Sequence, residues 1–147
     1  MKPAMRQLTP WLGRLSVVTL TVLVASACLA SAPTAVTGAT LVHVSERDFH
    51  IAVTPNHVPA GDVLVLMRNH GPDTHELIMV RSRSRLPLRR DGLTVDEDVL
   101  SATGLVEGAG PGHVGQVRLH LAPGRYELFC NMAGHFMAGM HADLVVS

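Results

Sequence analysis

Cysteine is scarce in this sequence of 147 residues, and its scarcity limits what the two cysteines can do. Cys28 lies in the amino-terminal segment, and Cys130 lies near the carboxyl end. If Cys28 is removed with a leader or carries a lipid, Cys130 has no partner for a disulfide. A single leftover thiol in an exported protein indicates intermolecular pairing, a reactive thiol or a metal ligand.

The sequence also lacks an apolar run that clearly suits a membrane-spanning helix. The run from Leu15 to Ala30 is slightly shorter than the roughly 20 residues that such a helix needs. Small residues follow it, and three basic residues precede it: Lys2, Arg6 and Arg14. This order is typical of a secretory signal. We therefore predict a signal segment over residues 1–32, with cleavage after Ala27 or Ala32, for example, and an exported, periplasmic or extracellular protein.

Two alternatives remain for this segment. It could stay as an uncleaved membrane anchor, or it could be a lipoprotein signal and linker in which Cys28 carries the lipid and tethers the protein to a membrane. The second alternative has a weakness, because a lipobox usually has Leu where this sequence has Ala25.

The chain has no excess of basic residues outside the leader. All 12 Asp and Glu lie beyond residue 40, whereas three of the 12 Lys and Arg are in the leader. The rest of the chain therefore has nine basic and 12 acidic residues, which gives a net charge near −3. A nucleic-acid-binding surface would be basic, so we expect no nucleic-acid partner.

The remainder of the chain, residues 40–147, reads as one all-β domain. Short apolar or alternating runs are separated by turn signals at Pro, Gly and Asp. The predicted strands are Leu41–Ser45, Asp48–Pro55, Val63–Met67, His75–Val80, the two in QVRLHLAPGRYELFC, and His141–Val146. About seven short strands in this length predict a Greek-key β-sandwich.

The stretch from Arg81 to Gly112 is predicted to be a long loop. Its basic part, Arg81 to Gly92, is interpreted as solvated, and TVDEDVLSA is predicted to form a short helix. A loop of this length in a compact domain is unusual and is often functional. Recognition of a partner is one hypothesis for it.

Three residues of metal-binding type lie at even spacing near the carboxyl end. In FCNMAGHFMAGMHADLVV, they are Cys130, His135 and Met140. If Cys130 ends one strand and the next begins at His141, the segment between them doubles back. Gly134 and Gly139 allow the turns that this requires.

A thiolate, an imidazole and a thioether form a soft ligand set. With a second imidazole they would make a trigonal His₂Cys plane and a long axial Met, which is the arrangement of a blue copper site. Among the nine histidines we favour His75, because it opens a strand directly after a turn. His70, within that turn, is the nearest rival.

The stretch PGRYELFCNMAGHFMAGMHADLVV resembles the carboxyl-terminal signature of the cupredoxins, the plastocyanin and azurin type of copper protein. NHGPDTHELIMV resembles their segment with the first His ligand. The resemblance implies a Greek-key sandwich that holds one type 1 copper ion through His75, Cys130, His135 and Met140. Two positions depart from many relatives: Ala133 replaces Pro before Gly134, and Glu76 replaces an Asn that ties the ligand loops together. The surroundings of the metal, and hence its potential, are therefore open.

We expect such a site to shuttle single electrons rather than to catalyse a reaction. Trinuclear copper oxidases have a His on each side of the ligand Cys, whereas Cys130 has Phe129 and Asn131 as its neighbours. The sequence from His75 begins like a zinc peptidase motif but lacks its second His. We expect a monomer that docks weakly and transiently with redox protein partners. The alternative is an exported copper carrier or chaperone. The small and apolar residues around His135 could form the docking patch or pack the loop: Met132, Ala133, Phe136, Met137 and Ala138.

Overall fold

The computed structural model describes residues 38–147, and the predicted signal segment lies outside them. These residues form nine strands and one short 3-10 helix at Glu97–Val99. The strands are β1 (Thr40–Arg47), β2 (His50–Thr54), β3 (His57–Val58), β4 (Gly61–Asn69), β5 (His75–Arg81), β6 (Ala102–Ala109), β7 (Val114–Leu121), β8 (Gly124–Phe129) and β9 (His141–Val146). No helix in this range is long and apolar enough to cross a membrane.

The strands make two mixed sheets. One has the order β2-β1-β4-β7 and the other β3-β9-β8-β5-β6. The pairs β1–β4 and β3–β9 are parallel, and the remaining pairs are antiparallel. Three connections, β1–β2, β5–β6 and β8–β9, join strands of one sheet, and the other five cross from one sheet to the other. The predicted all-β Greek-key sandwich is confirmed.

The main core lies between the two sheets and follows the alternation of the strands. In β1, Val42 and Val44 are buried while their neighbours Leu41 and His43 are exposed. In β4, Val63, Val65 and Met67 continue the same inward face. Each such side chain stabilises the fold by roughly 1.5–3 kcal/mol relative to an exposed position. The period of two therefore fixes which face of each strand points inward.

A second, smaller core covers the outer face of the other sheet. Ile78 and Val80 of β5 and Phe129 of β8 pack there against Leu86 and Val95. Leu86 and Val95 belong to the segment between β5 and β6, which we call the covering segment (residues 82–101). Because this segment buries the outer face, β5 is apolar on both faces, and its sequence does not alternate.

The structure corrects the predicted number of strands and the predicted long loop. Strands β3 and β6 were not predicted from the sequence. β6 lies within the stretch from Arg81 to Gly112 that was predicted to be a loop. Glycine misled the prediction, because Gly is usually depleted in strands. Here it permits close approach: a Cβ at Gly104 would lie 2.8 Å from Leu119 Cδ1, and one at Gly115 would clash with Val106.

Two local predictions also needed correction. The strand predicted from Asp48 begins at His50, because Asp48 and Phe49 form the two-residue turn of the β1–β2 hairpin. Phe49 has a φ of 63°, a left-handed conformation that a bulky residue rarely adopts. The short helix predicted in TVDEDVLSA is reduced to the three residues of the 3-10 helix.

Candidate metal centre

The strand order brings the predicted ligand segments together at one end of the sandwich. β8 ends at Phe129, Cys130 follows it, and the antiparallel neighbour β9 begins at His141. β5 lies on the other side of β8 and starts with His75. β5 and β8 are antiparallel, and Phe129 at the end of β8 pairs with Ile78, so the residues that follow Phe129 run back along the start of β5. His75 therefore lies beside Cys130.

The segment between β8 and β9, which we call the ligand loop (residues 130–140), is closed by its own backbone. The Cys130 N–H donates to the Met140 carbonyl at 3.1 Å, and the Met140 N–H donates to the His135 carbonyl at 3.0 Å. Gly134 and Gly139 have φ values of 83° and 105°, which only glycine adopts without strain. The turning role predicted for these glycines is confirmed.

Three of the four predicted ligands converge on one point. The Sγ atom of Cys130 lies 3.6 Å from Nδ1 of His135 and 3.9 Å from Nδ1 of His75. One ligand atom from each of the three residues lies within 4.8 Å of the others. The two imidazole rings meet edge to face, with their centroids 5.2 Å apart. Each ring thus directs Nδ1 toward the thiol.

These distances fit a trigonal metal site. With metal–sulfur and metal–nitrogen bonds of about 2.3 and 2.0 Å, a planar arrangement at 120° separates S from N by about 3.7 Å. The observed S–N distances of 3.6 and 3.9 Å bracket this value. A soft thiolate and two imidazoles form the ligand plane of a blue copper site.

Met140 is fully buried at the end of the ligand loop, and backbone hydrogen bonds join it to both Cys130 and His135. His75, Cys130, His135 and Met140 are therefore positioned to bind one copper ion. His70, the rival for the second imidazole, is exposed and does not belong to the cluster.

Burial dominates the electrostatics of the thiol. It raises the pKa of Cys130, while the backbone N–H groups of Glu76 and Met132 act in the opposite direction. The carboxyl groups of Glu46 and Glu76 raise that pKa further. Metal binding must therefore displace a firmly held proton.

Burial also governs His75, whose side chain is fully buried. It lowers the pKa of His75, and nearby His135 lowers it further, whereas the carboxylate of Asp48 acts against both. The His75 ring is thus kept neutral, which is the form that binds a metal.

Two residues of the ligand loop tie it to the covering segment. Asn131 accepts the Val95 N–H at 2.6 Å and donates to the Val95 carbonyl at 3.0 Å, so it joins the ligand loop to the covering segment. The Gly134 N–H donates to the Leu93 carbonyl at 3.0 Å and adds a second tie. The Asn131 backbone N–H also lowers the pKa of the Glu76 carboxyl, which burial raises. Glu76 occupies the position at which the cupredoxin resemblance implies Asn.

The sequence prediction missed several residues of this region. Asp48 contacts His75, and Phe49 meets the His135 ring edge to face at a centroid distance of 5.5 Å. Both lie on the β1–β2 turn, which we predicted as strand. The only signal in the sequence was Asp before a bulky residue between two alternating runs, and this does not reveal what the turn contacts.

A family model described as the sulfocyanin (SoxE) domain matches residues 19–147. None of the curated proteins compared with the chain matches it significantly.

Several solved structures share the fold. Dithionite-reduced auracyanin from Roseiflexus castenholzii is 19% identical with a TM-score of 0.60, and the match covers 75% of this chain and 99% of that one. Auracyanin A, a "blue" copper protein from Chloroflexus aurantiacus, is 18% identical with a TM-score of 0.55, covering 75% and 100%. Rusticyanin from Thiobacillus ferrooxidans is 19% identical with a TM-score of 0.53, covering 75% and 79%. At these identities the likeness establishes the fold alone, and the fold implied by the cupredoxin resemblance is confirmed.

Proposed function

Because the chain belongs to the sulfocyanin (SoxE) domain family, whose fold is of the cupredoxin type, we propose that it is an exported one-electron carrier. The proposed ligands of its single copper ion are His75, Cys130, His135 and Met140. Copper supplies the chemistry, because it alternates between Cu(I) and Cu(II). Auracyanin A, which shares the fold, is described as a "blue" copper protein.

One observation carries this proposal: three side chains of the right ligand type converge on one point. Cys130 and His75 are fully buried, and His135 is partly buried. Pairing with Ala109 of β6 holds His75, and the backbone hydrogen bonds of the ligand loop hold Cys130 and His135. Ligands fixed in this way change little between oxidation states, so an electron can move with little rearrangement.

His135 offers the route for the electron to the surface. It is the proposed ligand with partial exposure, whereas the other three are fully buried. Three exposed apolar residues lie on the ligand loop or next to it, and we call them the apolar patch. They are Phe49, whose ring contacts His135, and Met132 and Met137 of the loop, which are 51%, 41% and 54% exposed. Phe136 packs against Phe129 at a centroid distance of 5.6 Å and belongs to the second core. A small apolar patch suits the weak, transient docking of electron-transfer partners.

The residues beside Cys130 favour an electron carrier over a copper oxidase. Phe129 is fully buried in the second core, and the Asn131 side chain bonds to Val95, so neither offers a ligand to further copper ions. The ligand loop also holds no second Cys for a binuclear centre.

A copper carrier or chaperone is the second candidate. Its support is compositional: the chain has seven Met and nine His. A carrier needs exposed ligands that exchange, whereas His75, Cys130 and Met140 are fully buried. The burial of three of the four proposed ligands therefore favours the electron carrier.

The spectrum of the copper-loaded protein tests the proposal. The chain expressed with its own amino-terminal segment and mixed with Cu(II) is expected to show an intense visible charge-transfer band, which Cys130→Ala abolishes. The band is expected to vanish on reduction and return on reoxidation with the copper retained. A pale wild-type protein would overturn the blue copper assignment. Release of copper on each reduction would instead favour the copper carrier or chaperone.

The apolar patch makes a second, separate prediction. Met137→Glu is expected to slow electron self-exchange between two copies of the copper-loaded protein by about tenfold at low ionic strength, because like charges then face each other at the contact. Paramagnetic line broadening in NMR spectra of partly oxidised samples measures this rate. Val145→Glu is the matched control, since Val145 is 42% exposed near the far end of β9. Equal slowing by both variants would argue against docking through the patch.

A further inference from the structure

Asp48 and His75 form a buried contact on the side of the ring that faces away from the thiol. The Oδ1 atom of Asp48 lies 3.2 Å from Nε2 of His75. Both atoms are shielded from solvent, and neither has a hydrogen-bond partner of standard geometry in residues 38–147. At this distance the charge of the Asp48 carboxylate attracts the dipole of the His75 ring, although the two atoms are not aligned as in an ideal hydrogen bond.

The two nitrogens of His75 therefore face different groups. Nδ1 points to Cys130 Sγ, whereas Nε2 points to the carboxylate. A proton on Nε2 is favoured by the carboxylate, and it leaves the lone pair of Nδ1 free for a metal. Ligating histidines commonly have such a carboxylate, which fixes the ring and makes it a stronger donor.

The position of Asp48 is fixed by the hairpin that carries it. Arg47 and His50 pair directly across the two-residue turn, so the backbone of Asp48 has little freedom. The strained Phe49 lies between them with its φ of 63°, and its carbonyl comes within 3.6 Å of a Cβ built at Gly139. The turn thus rests against the ligand loop.

Gly71 keeps the space in which the contact forms. A Cβ at this position would lie 2.5 Å from Asp48 Oδ1 and 3.1 Å from His75 Nε2, so any larger residue must displace the pair. The Gly71 N–H donates to the fully buried Asn69 side chain at 2.8 Å, which holds the glycine in place. Two independent segments, the β1–β2 turn and the turn before β5, therefore converge on the Asp48–His75 contact.

We propose that Asp48 is a positioning residue that orients His75 and shifts the copper equilibrium toward Cu(II). This inference rests on the proposed function. A carboxylate attracts the doubly charged ion more strongly than the singly charged ion, and the attraction acts through the His75 ring over a short, shielded path. The residue touches the ligand and not the metal.

The test compares the affinities of Asp48→Asn and wild type for Cu(II) and for Cu(I), measured by competition with chelators. We expect the Cu(II) affinity to fall about tenfold, in the range found for such supporting residues, and the Cu(I) affinity to fall much less. A tenfold change in their ratio raises the potential of a one-electron couple by about 59 mV, which a redox titration measures separately. Gly71→Ala, which displaces the carboxylate, is expected to act in the same direction.

An exposed Asp–His pair provides the matched control. Asp62 Oδ1 lies 2.8 Å from His120 Nδ1, near the opposite end of β4 from Asn69. Asp62→Asn is expected to leave both affinities unchanged. In the metal-free protein, NMR of the imidazole nitrogens provides a second readout: wild-type His75 is expected to carry its proton on Nε2, and Asp48→Ala is expected to mix the two tautomers.

The outcomes separate this inference from the proposed function. A wild-type protein without a blue band would overturn the function first. A blue wild type in which Asp48→Asn leaves the ratio of the two affinities unchanged would overturn the role of Asp48 alone. If His75 keeps a single tautomer in Asp48→Ala, the proposal that Asp48 orients the His75 ring is overturned.

Discussion

Raising the pH from 4.5 to about 8 is expected to cost the metal-free protein roughly 5 kcal/mol of folding free energy through one residue, Glu46. Its side chain is fully buried, and both carboxylate oxygens lack a hydrogen-bond partner within residues 38–147. Burial raises the pKa of Glu46 from 4.5 to about 8, and the carboxyl group of Glu76 adds to the shift. Each pKa unit corresponds to about 1.4 kcal/mol.

The sign of this effect follows from where the proton is bound. Between pH 4.5 and 8, the folded protein keeps the Glu46 proton, whereas the unfolded chain has lost it. Stability therefore falls as the pH rises through this window and is unaffected by Glu46 below it. The expected loss is a large fraction of the 5–15 kcal/mol that typically stabilises a domain.

Glu46→Gln tests the assignment, because glutamine has the shape of the protonated acid and does not titrate. Urea unfolding of the metal-free protein at a series of pH values measures the slope. The variant is expected to match wild type near pH 4.5 and to be several kcal/mol more stable at pH 8. Glu107→Gln, at an exposed site on β6, is the control and is expected to keep the wild-type slope. An unchanged slope in Glu46→Gln would show that other groups cause the pH dependence.

Asn69→Ala is expected to destabilise the protein by roughly 3 kcal/mol and to weaken copper binding. The Asn69 side chain donates to the carbonyls of Asp73 and Ala109 at 2.7 and 2.8 Å, and it accepts the Gly71 N–H at 2.8 Å. Losing it leaves buried backbone groups unpaired, at about 1–3 kcal/mol each when no water replaces the bond. The turn that places Gly71 and His75 would then loosen.

Chemical denaturation and Cu(II) competition measure the two effects. Asn69→Asp keeps the size of the side chain but loses both donors, so we expect it to be at least as harmful. Asn56→Ala is the matched control, since Asn56 is exposed and only its backbone carbonyl takes part in a hydrogen bond within the described range. A loss of stability without any change in Cu(II) affinity would show that the turn does not position His75.

The sequence by itself determined the elements whose information is local. Cys130, His135 and Met140 lie on one short loop with glycines at its turns, so bringing Cys130 and His135 together needs only the hairpin of β8 and β9. His75 was also predictable, because it follows a turn and opens an apolar strand. Alternating residues in β1 and β4 indicated a sandwich with one buried face for each strand.

Only the tertiary structure decided which residues surround that site. Asp48 and Gly71 meet His75 from two separate turns, and Glu46 continues the buried face of β1 although its side chain can ionise. In β6 the glycines indicated a loop, but pairing with β5 made them a strand. The reason is the same in each case: these residues are defined by contacts between segments distant in sequence, and local patterns of polarity and turn propensity do not encode such contacts.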